Sequence, residues 1–193
     1  MENGHGGVTV GSEMAGGVRN MRVRDCLMRR TDRGLRIKTR RGRGEQGVID
    51  GITFERVRME NVLAPLVVNA LYFCDPDGHS PWVQSREKQP VDDGTPTLGT
   101  VTYRDVTADG CACAGYVLGL PERPMERLIL ERVRLSASPE ARPIAPAMSE
   151  GVPQVTAHGL EAHFVRQLIL KDVEITGCEE KLITDADVEI NLD

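Results

Sequence analysis

Two short stretches of this 193-residue sequence carry side chains that could do chemistry. In Gly4-His5-Gly6-Gly7 a histidine stands between glycines. Glycine lets backbone approach a ligand closely, and imidazole changes charge near neutral pH, so such a residue can move or hold a proton. Arg36-Ile37-Lys38 alternates basic, apolar, basic. On a strand the two cations project from one face and Ile37 from the other. Neighbouring like charges repel unless an anion sits between them, and arginine's planar fork matches a carboxylate or phosphate. An anion site and a solvated basic edge both fit that pair. Around it, residues 19–43 hold ten arginines and Lys38 against Asp25 and Asp32, an excess of nine positive charges on a chain whose net charge is −5. Such asymmetry points to a localised anionic partner. Arginine supplies 20 of the 24 basic residues, a ratio that biased nucleotide usage also produces.

These residues sit on a repeat. The pattern apolar-x-apolar-x-x-apolar-x-apolar occurs five times, at Met21–Met28, Ile52–Met59, Val101–Ala108, Leu128–Leu135 and Leu168–Ile175. Its two middle residues are charged each time: Arg24-Asp25, Glu55-Arg56, Arg104-Asp105, Glu131-Arg132 and Lys171-Asp172. Alternating residues of a strand face opposite sides, so each half of the pattern buries one face, and the charged pair turns the chain at an outward corner. The apolar offsets make no single helical stripe. Successive starts lie 31, 49, 27 and 40 residues apart, which suits the coils of a parallel β-solenoid with loops in the longer ones. A second apolar stretch follows each repeat, as at Leu35-Arg36-Ile37, Leu66-Val67-Val68 and Tyr116-Val117-Leu118. Val188-Glu-Ile190-Asn-Leu192 would belong to a sixth coil. At about 4.8 Å per coil, six make a rod roughly 29 Å long. The chain is expected to be one all-β domain over residues 1–193, with a β-sandwich or jelly roll as the alternative.

Residues 74–97 and 136–153 break the rhythm and are long, polar, proline-bearing loops, a class that often carries function. The first holds Trp82, the only tryptophan, which could stack on a sugar or fold back on the core. Cys26, Cys74, Cys111, Cys113 and Cys178 make a poor disulfide or zinc framework and read as small buried hydrophobes in a reducing compartment. His79, His158 and His163 have no ligand-like spacing and read as loop or surface residues. No metal and no cofactor are expected. No apolar run approaches the ~20 residues of a membrane span, so no membrane partner is expected. Nucleic acid is not expected either, because residues 19–43 interleave no aromatic residue with the basic ones.

Taken in order, Gly4-His5-Gly6, Gly11-Ser12, Arg36-Ile37-Lys38 and Tyr72, which closes the run Ala64–Tyr72, resemble the polygalacturonases of glycoside hydrolase family 28. Residues 11–42 are similar to the bacterial branch in particular. The resemblance implies a right-handed parallel β-helix and inverting hydrolysis of galacturonan by aspartates that serve as acid and as activators of water. It implies that His5 helps hold the acid's protonation state, that Arg36 and Lys38 bind a sugar carboxylate, and that Tyr72 contacts the sugar. The partner would then be an anionic polysaccharide or oligosaccharide.

One departure is large. The family's Asn-Thr-Asp and Asp-Asp motifs come before the histidine; here four residues precede His5 and none is Asp. Asp25 belongs to an outer charge pair and Asp32 to a corner, so neither is expected to substitute. The expectation is a C-terminal part of a longer enzyme, an N-terminally truncated β-helix that is inactive alone and prone to aggregate at its open coil. A non-catalytic oligogalacturonate-binding protein is the alternative, and a calcium-dependent pectate lyase is disfavoured for want of acids near Arg36. Free cysteines favour the bacterial cytoplasm over secretion, with any signal peptide lying upstream.

Overall fold

The structure, a computed structural model, describes residues 1–192. Its strands follow the repeat coil by coil. The first coil holds β1 (Gly6–Val10), β2 (Val18–Arg19) and β3 (Arg22–Arg29). The second holds β4 (Arg33–Lys38), β5 (Val48–Asp50) and β6 (Ile52–Glu60), and the third β7 (Ala64–Asn69), β8 (Thr97–Leu98) and β9 (Thr100–Cys111). Then come β10 (Cys113–Leu118) with β11 (Met125–Ala137), β12 (His158–His163) with β13 (Val165–Thr176), and β14 (Leu182–Thr184) with β15 (Glu189–Leu192). One helical turn, α1 (Pro81–Gln84), lies in the loop before β8. Each strand pairs in parallel with its counterpart one coil away. This gives a front sheet β1-β4-β7-β10-β12-β14, a back sheet β3-β6-β9-β11-β13-β15 and a short side sheet β2-β5-β8. The expected parallel β-helix is what forms, and the sixth coil closes through β15 against β13.

The register explains why. Ile52, Val101, Leu128 and Leu168 stack in one column, and Val57, Val106, Val133 and Val173 in another. Leu35, Leu66 and Leu160 fill the front-sheet side of the same core. A slip of one residue would turn each column outward, so burial fixes the pairing. The second residue of every charged pair is the corner: Asp25, Arg56, Asp105, Arg132 and Asp172 all have φ between 51° and 58°. Left-handed backbone is costly for a side chain that is not Gly, Asn or Asp. It is held here by alternating charge. Down the stack the first members run Arg24, Glu55, Arg104, Glu131, Lys171, in register. The second members run acid, base, acid, base, acid. Arg56 Nε donates to Asp25 Oδ1 at 2.7 Å, Arg132 Nε to Asp105 Oδ1 at 2.6 Å and Arg104 Nε to Glu131 Oε2 at 2.7 Å. Opposite charges directly across a pair of strands are favourable and like charges are not.

Phe54 and Tyr103 stack inside the core, 5.2 Å between ring centroids. The Tyr103 hydroxyl is buried without a hydrogen-bond partner, and burial pushes its ionisation far up. An unmet buried hydroxyl destabilises by about 1 kcal/mol or more, which corresponds to roughly 2–4 °C in a chain of this size. Tyr103→Phe therefore raises the melting temperature by that amount in calorimetry; a lowered one would show that the hydroxyl is satisfied.

All five cysteines are free, and Cys111 and Cys113 are buried. Burial pushes the Cys111 thiol up to about 12, which leaves it inert. Two of the histidines read as surface residues are not: His158 and His163 lie at the two ends of β12 and flank Glu161. Glu161 accepts from His158 Nε2 at 3.0 Å and His163 Nε2 at 2.8 Å, while His163 Nδ1 reaches Asp185 Oδ1 at 2.6 Å. This clasp ties β12 to the segment between β14 and β15. Its hydrogen bond to Glu161 raises the His163 pKa, and the bond from His163 lowers that of Glu161. The stability from His163 is therefore present at low pH and lost as pH rises past its raised folded value, above the ordinary ~6.5. That from Glu161 is present above the ordinary ~4.3 and lost as pH falls further. The clasp is strongest between about pH 4.3 and 6.5. Amide exchange in β14 should accelerate from pH 6 to pH 8 beyond the intrinsic chemical rate, and in Glu161→Gln, which leaves only the Asp185 bond to His163, this excess should shrink; an equal excess in both proteins would contradict the clasp.

Candidate active site

The strand β4 does what its alternation requires. Leu35 and Ile37 are fully buried in the core, and Arg36 and Lys38 share the opposite face of the front sheet. Tyr72 arrives three residues after β7, its backbone N–H donating to Thr39 O at 3.1 Å. This anchor brings the phenol against both cations: the Arg36 guanidinium lies 5.4 Å and Lys38 Nζ 4.5 Å from the ring centroid. Lys38 Nζ also donates to Tyr72 Oη at 3.4 Å. Arg36 is only 3% exposed, and its Nη2 donates to Met148 Sδ at 3.0 Å. Among the described residues neither Arg36 nor Lys38 has a carboxylate partner. Burial holds the Arg36 guanidinium below its ordinary pKa. Beside it Arg33, also buried, is pushed down to about 10, first by burial and then by the Arg36 charge. Its Nε and Nη2 donate to the backbone oxygens of Pro146 and Ala145 at 2.8 and 2.6 Å. Desolvated cations without a counter-charge are costly to keep, and an arriving anion relieves that cost.

The structure brings together Arg36, Lys38 and Tyr72 and leaves His5 apart. Thr9 is the residue of β1 that pairs with Arg36, four positions after His5. At about 3.3 Å per residue, that puts His5 roughly 13 Å along the sheet. His5 instead meets Asp32, its Nδ1 3.0 Å from Asp32 Oδ2, and Arg142 Nη2 donates to Asp32 Oδ1 at 2.7 Å. The corner expected at Asp32 is thus also a contact of the histidine. Sequence reasoning missed Asp32, Arg33, Arg142 and Met148. The first was within reach, since Gly6 pairs with Arg33 and that offset of 27 aligns 5 with 32. The loop after β11 gives no such signal, because its contacts span more than 100 residues.

The basic run is not a free positive surface. Arg40 pairs with Asp75 and Asp77, and Arg43 with Asp75. Arg41 makes a bidentate pair with Glu122, at 2.7 and 2.8 Å, and also donates to the carbonyls of Trp82, Val83 and Ser85. These arginines tie the 74–97 loop to the solenoid, which corrects the view of the whole run as an anion-binding patch. Trp82 is partly exposed, its ring beside Gly42. Glu13, Cys74 and Asp75 could converge on a cation, but Arg43 Nη2 already lies 2.9 Å from Cys74 Sγ and 3.1 Å from Asp75 Oδ2. His79 stacks on Phe73 and bonds Glu150. No helix among the described residues is long and apolar enough to cross a membrane.

The front sheet of this parallel β-helix carries Arg36 and Lys38, with Tyr72 against both, and comparison with known proteins gives its family. Residues 1–140 match the model of glycosyl hydrolases family 28, and the chain belongs to that family. A probable polygalacturonase of Vitis vinifera is 26% identical over 137 residues, 71% of this chain and 26% of that protein. An endo-polygalacturonase of Pectobacterium parmentieri is 33% identical over 106 residues, 55% of this chain and 22% of that one. An Arabidopsis thaliana exopolygalacturonase is 42% identical over 62 residues, 32% and 13% of the two chains. The chain spans about a quarter of the length of the first of these relatives and less of the others. No solved structure matches.

Proposed function

We propose that this chain forms the uronate-holding part of a polygalacturonase-type groove, acts on galacturonan only as part of such an enzyme, and alone binds oligogalacturonate without cleaving it. Arg36 and Lys38 take the carboxylate of one galacturonate residue, the arginine through its fork and the lysine as a point charge, and Tyr72 lies against the sugar. The observation that carries this reading is the cation pair itself: Arg36 buried and Lys38 half-buried, both against one tyrosine and without an acidic partner among the described residues. Inverting hydrolysis needs two carboxyl groups about 6.5–9.5 Å apart, one to protonate the leaving oxygen and one to activate water. Neither family aspartate motif precedes His5 in this sequence, and both oxygens of Asp32 are engaged, by His5 and by Arg142. His5 is assigned to the proton side of the reaction, where it would hold the protonation state of an acid supplied by neighbouring coils. A dedicated binding protein would use the same three residues.

The test pairs two assays on the purified chain. Trigalacturonate should bind, and incubation with polygalacturonate should release no reducing ends above a blank. Sustained release that disappears in Arg36→Ala would overturn the inactive reading. Binding of neither sugar would overturn the whole assignment.

A further inference from the structure

We infer that Asp32 is the positioning residue of His5: it accepts the Nδ1–H of the imidazole, fixes one tautomer, and leaves Nε2 as the free nitrogen presented to a reacting group. Four observations carry this. First, Nδ1 lies 3.0 Å from Asp32 Oδ2, and among the described residues Nε2 has no protein partner. An ionised carboxylate can only accept, so the proton of a neutral His5 must sit on Nδ1. Second, the meeting is dictated by backbone. The Asp32 N–H donates to Gly4 O at 3.0 Å and its carbonyl accepts from Ala64 N at 3.0 Å, which pins Asp32 between the coils on either side. Third, the other carboxylate oxygen is taken by Arg142 Nη2 at 2.7 Å. Asp32 therefore cannot swing away from His5 without breaking an ion pair. Fourth, Arg142 is itself delivered. Its loop is fastened by the buried Arg33, which immediately follows Asp32 and donates to the carbonyls of Ala145 and Pro146.

The arrangement is a chain of support running from Arg33 through the loop to Arg142, Asp32 and His5. A carboxylate behind an imidazole sets which nitrogen carries the proton and how the ring is oriented. His5 is mostly exposed, so the ring would otherwise be free to turn and to exchange tautomers. The inference rests on the proposed function only for what Nε2 would act upon, since the tautomer itself follows from geometry.

The test is ¹⁵N spectroscopy of the histidine side chains in the full chain, at a pH where His5 is neutral. His5 is assigned by the signal that vanishes in His5→Gln. Wild type should show the Nδ1–H form as the major species, whereas an unpartnered histidine in water favours Nε2–H. Asp32→Ala should convert His5 to that unpartnered pattern and leave the His158 and His163 signals unmoved, which reports an intact solenoid. A wild-type His5 in the Nε2–H form would overturn the inference whatever the variant does, and so would an Nδ1–H pattern that survives Asp32→Ala. Trigalacturonate added to the same wild-type sample tests the functional reading separately. A shifted His5 signal supports it; a His5 imidazole and a Tyr72 backbone amide that both stay unmoved in excess sugar would overturn it while leaving the tautomer result standing.

Discussion

Arg41→Ala should lower the melting temperature of this chain by roughly 6–20 °C. Arg41 and Glu122 are both nearly sealed from solvent, 1% and 3% exposed at the side chain. Breaking a buried pair by removing one partner leaves the other charge without water or counter-ion and costs about 3–5 kcal/mol. Each kcal/mol corresponds to roughly 2–4 °C in a chain of this size. The truncation also strips donors from the carbonyls of Trp82, Val83 and Ser85, so the 74–97 loop should become the first protease-sensitive segment. Removing both charges with Arg41→Met and Glu122→Leu should recover part of the loss, because no isolated charge remains, but not all of it, because the three carbonyls stay orphaned. Differential scanning calorimetry decides the matter. A fall under about 2 °C for Arg41→Ala would mean the pair is wet and the loop is held by something else.

The second large effect is on binding. Arg36→Ala should weaken trigalacturonate affinity about 10- to 100-fold, since a hydrogen bond to a charged group contributes about 1.5–3 kcal/mol and each 1.4 kcal/mol is tenfold. Arg36→Lys keeps the charge but loses the fork and should fall between the two. Stability should move the other way. Burial depresses the Arg36 pKa, so in the free protein its charge works against folding, and Arg36→Met should melt no lower than wild type. Weaker binding in a protein of equal stability separates a ligand contact from a folding defect. If Arg36→Met both melts lower and binds as well as wild type, the residue is structural.

The stacking was legible because the solenoid repeats itself. Five copies of one pattern imply a common register for the back sheet, and on the front sheet strand alternation alone places Ile37 inward and Arg36 and Lys38 outward. Even the corner charges could be read, since their signs alternate from coil to coil as stacked partners require. Tyr72 beside Arg36 depends on a backbone bond from Tyr72 to Thr39, one coil apart, and came from motif resemblance rather than pattern. The loops were not legible. Nothing in residues 138–157 says that Arg142 returns to Asp32 or that Met148 covers Arg36, because those contacts are tertiary and follow no period. The same blindness made the arginine run look like one charged patch. In the linear sequence Arg40, Arg41 and Arg43 stand beside Arg36, whereas in space their acids come from Asp75, Asp77 and Glu122, more than 30 residues away.

The most direct measurement is calorimetric titration of the chain with trigalacturonate and, separately, with the same sugar fully methyl-esterified. The ester keeps the shape and removes the charge. Binding of the acid that is at least tenfold tighter than that of the ester, and that weakens as salt is raised, is the result expected of a carboxylate held by Arg36 and Lys38. Equal affinities for the two sugars would mean that the cation pair on the front sheet does not hold a uronate, and would contradict Arg36 and Lys38 as its ligands.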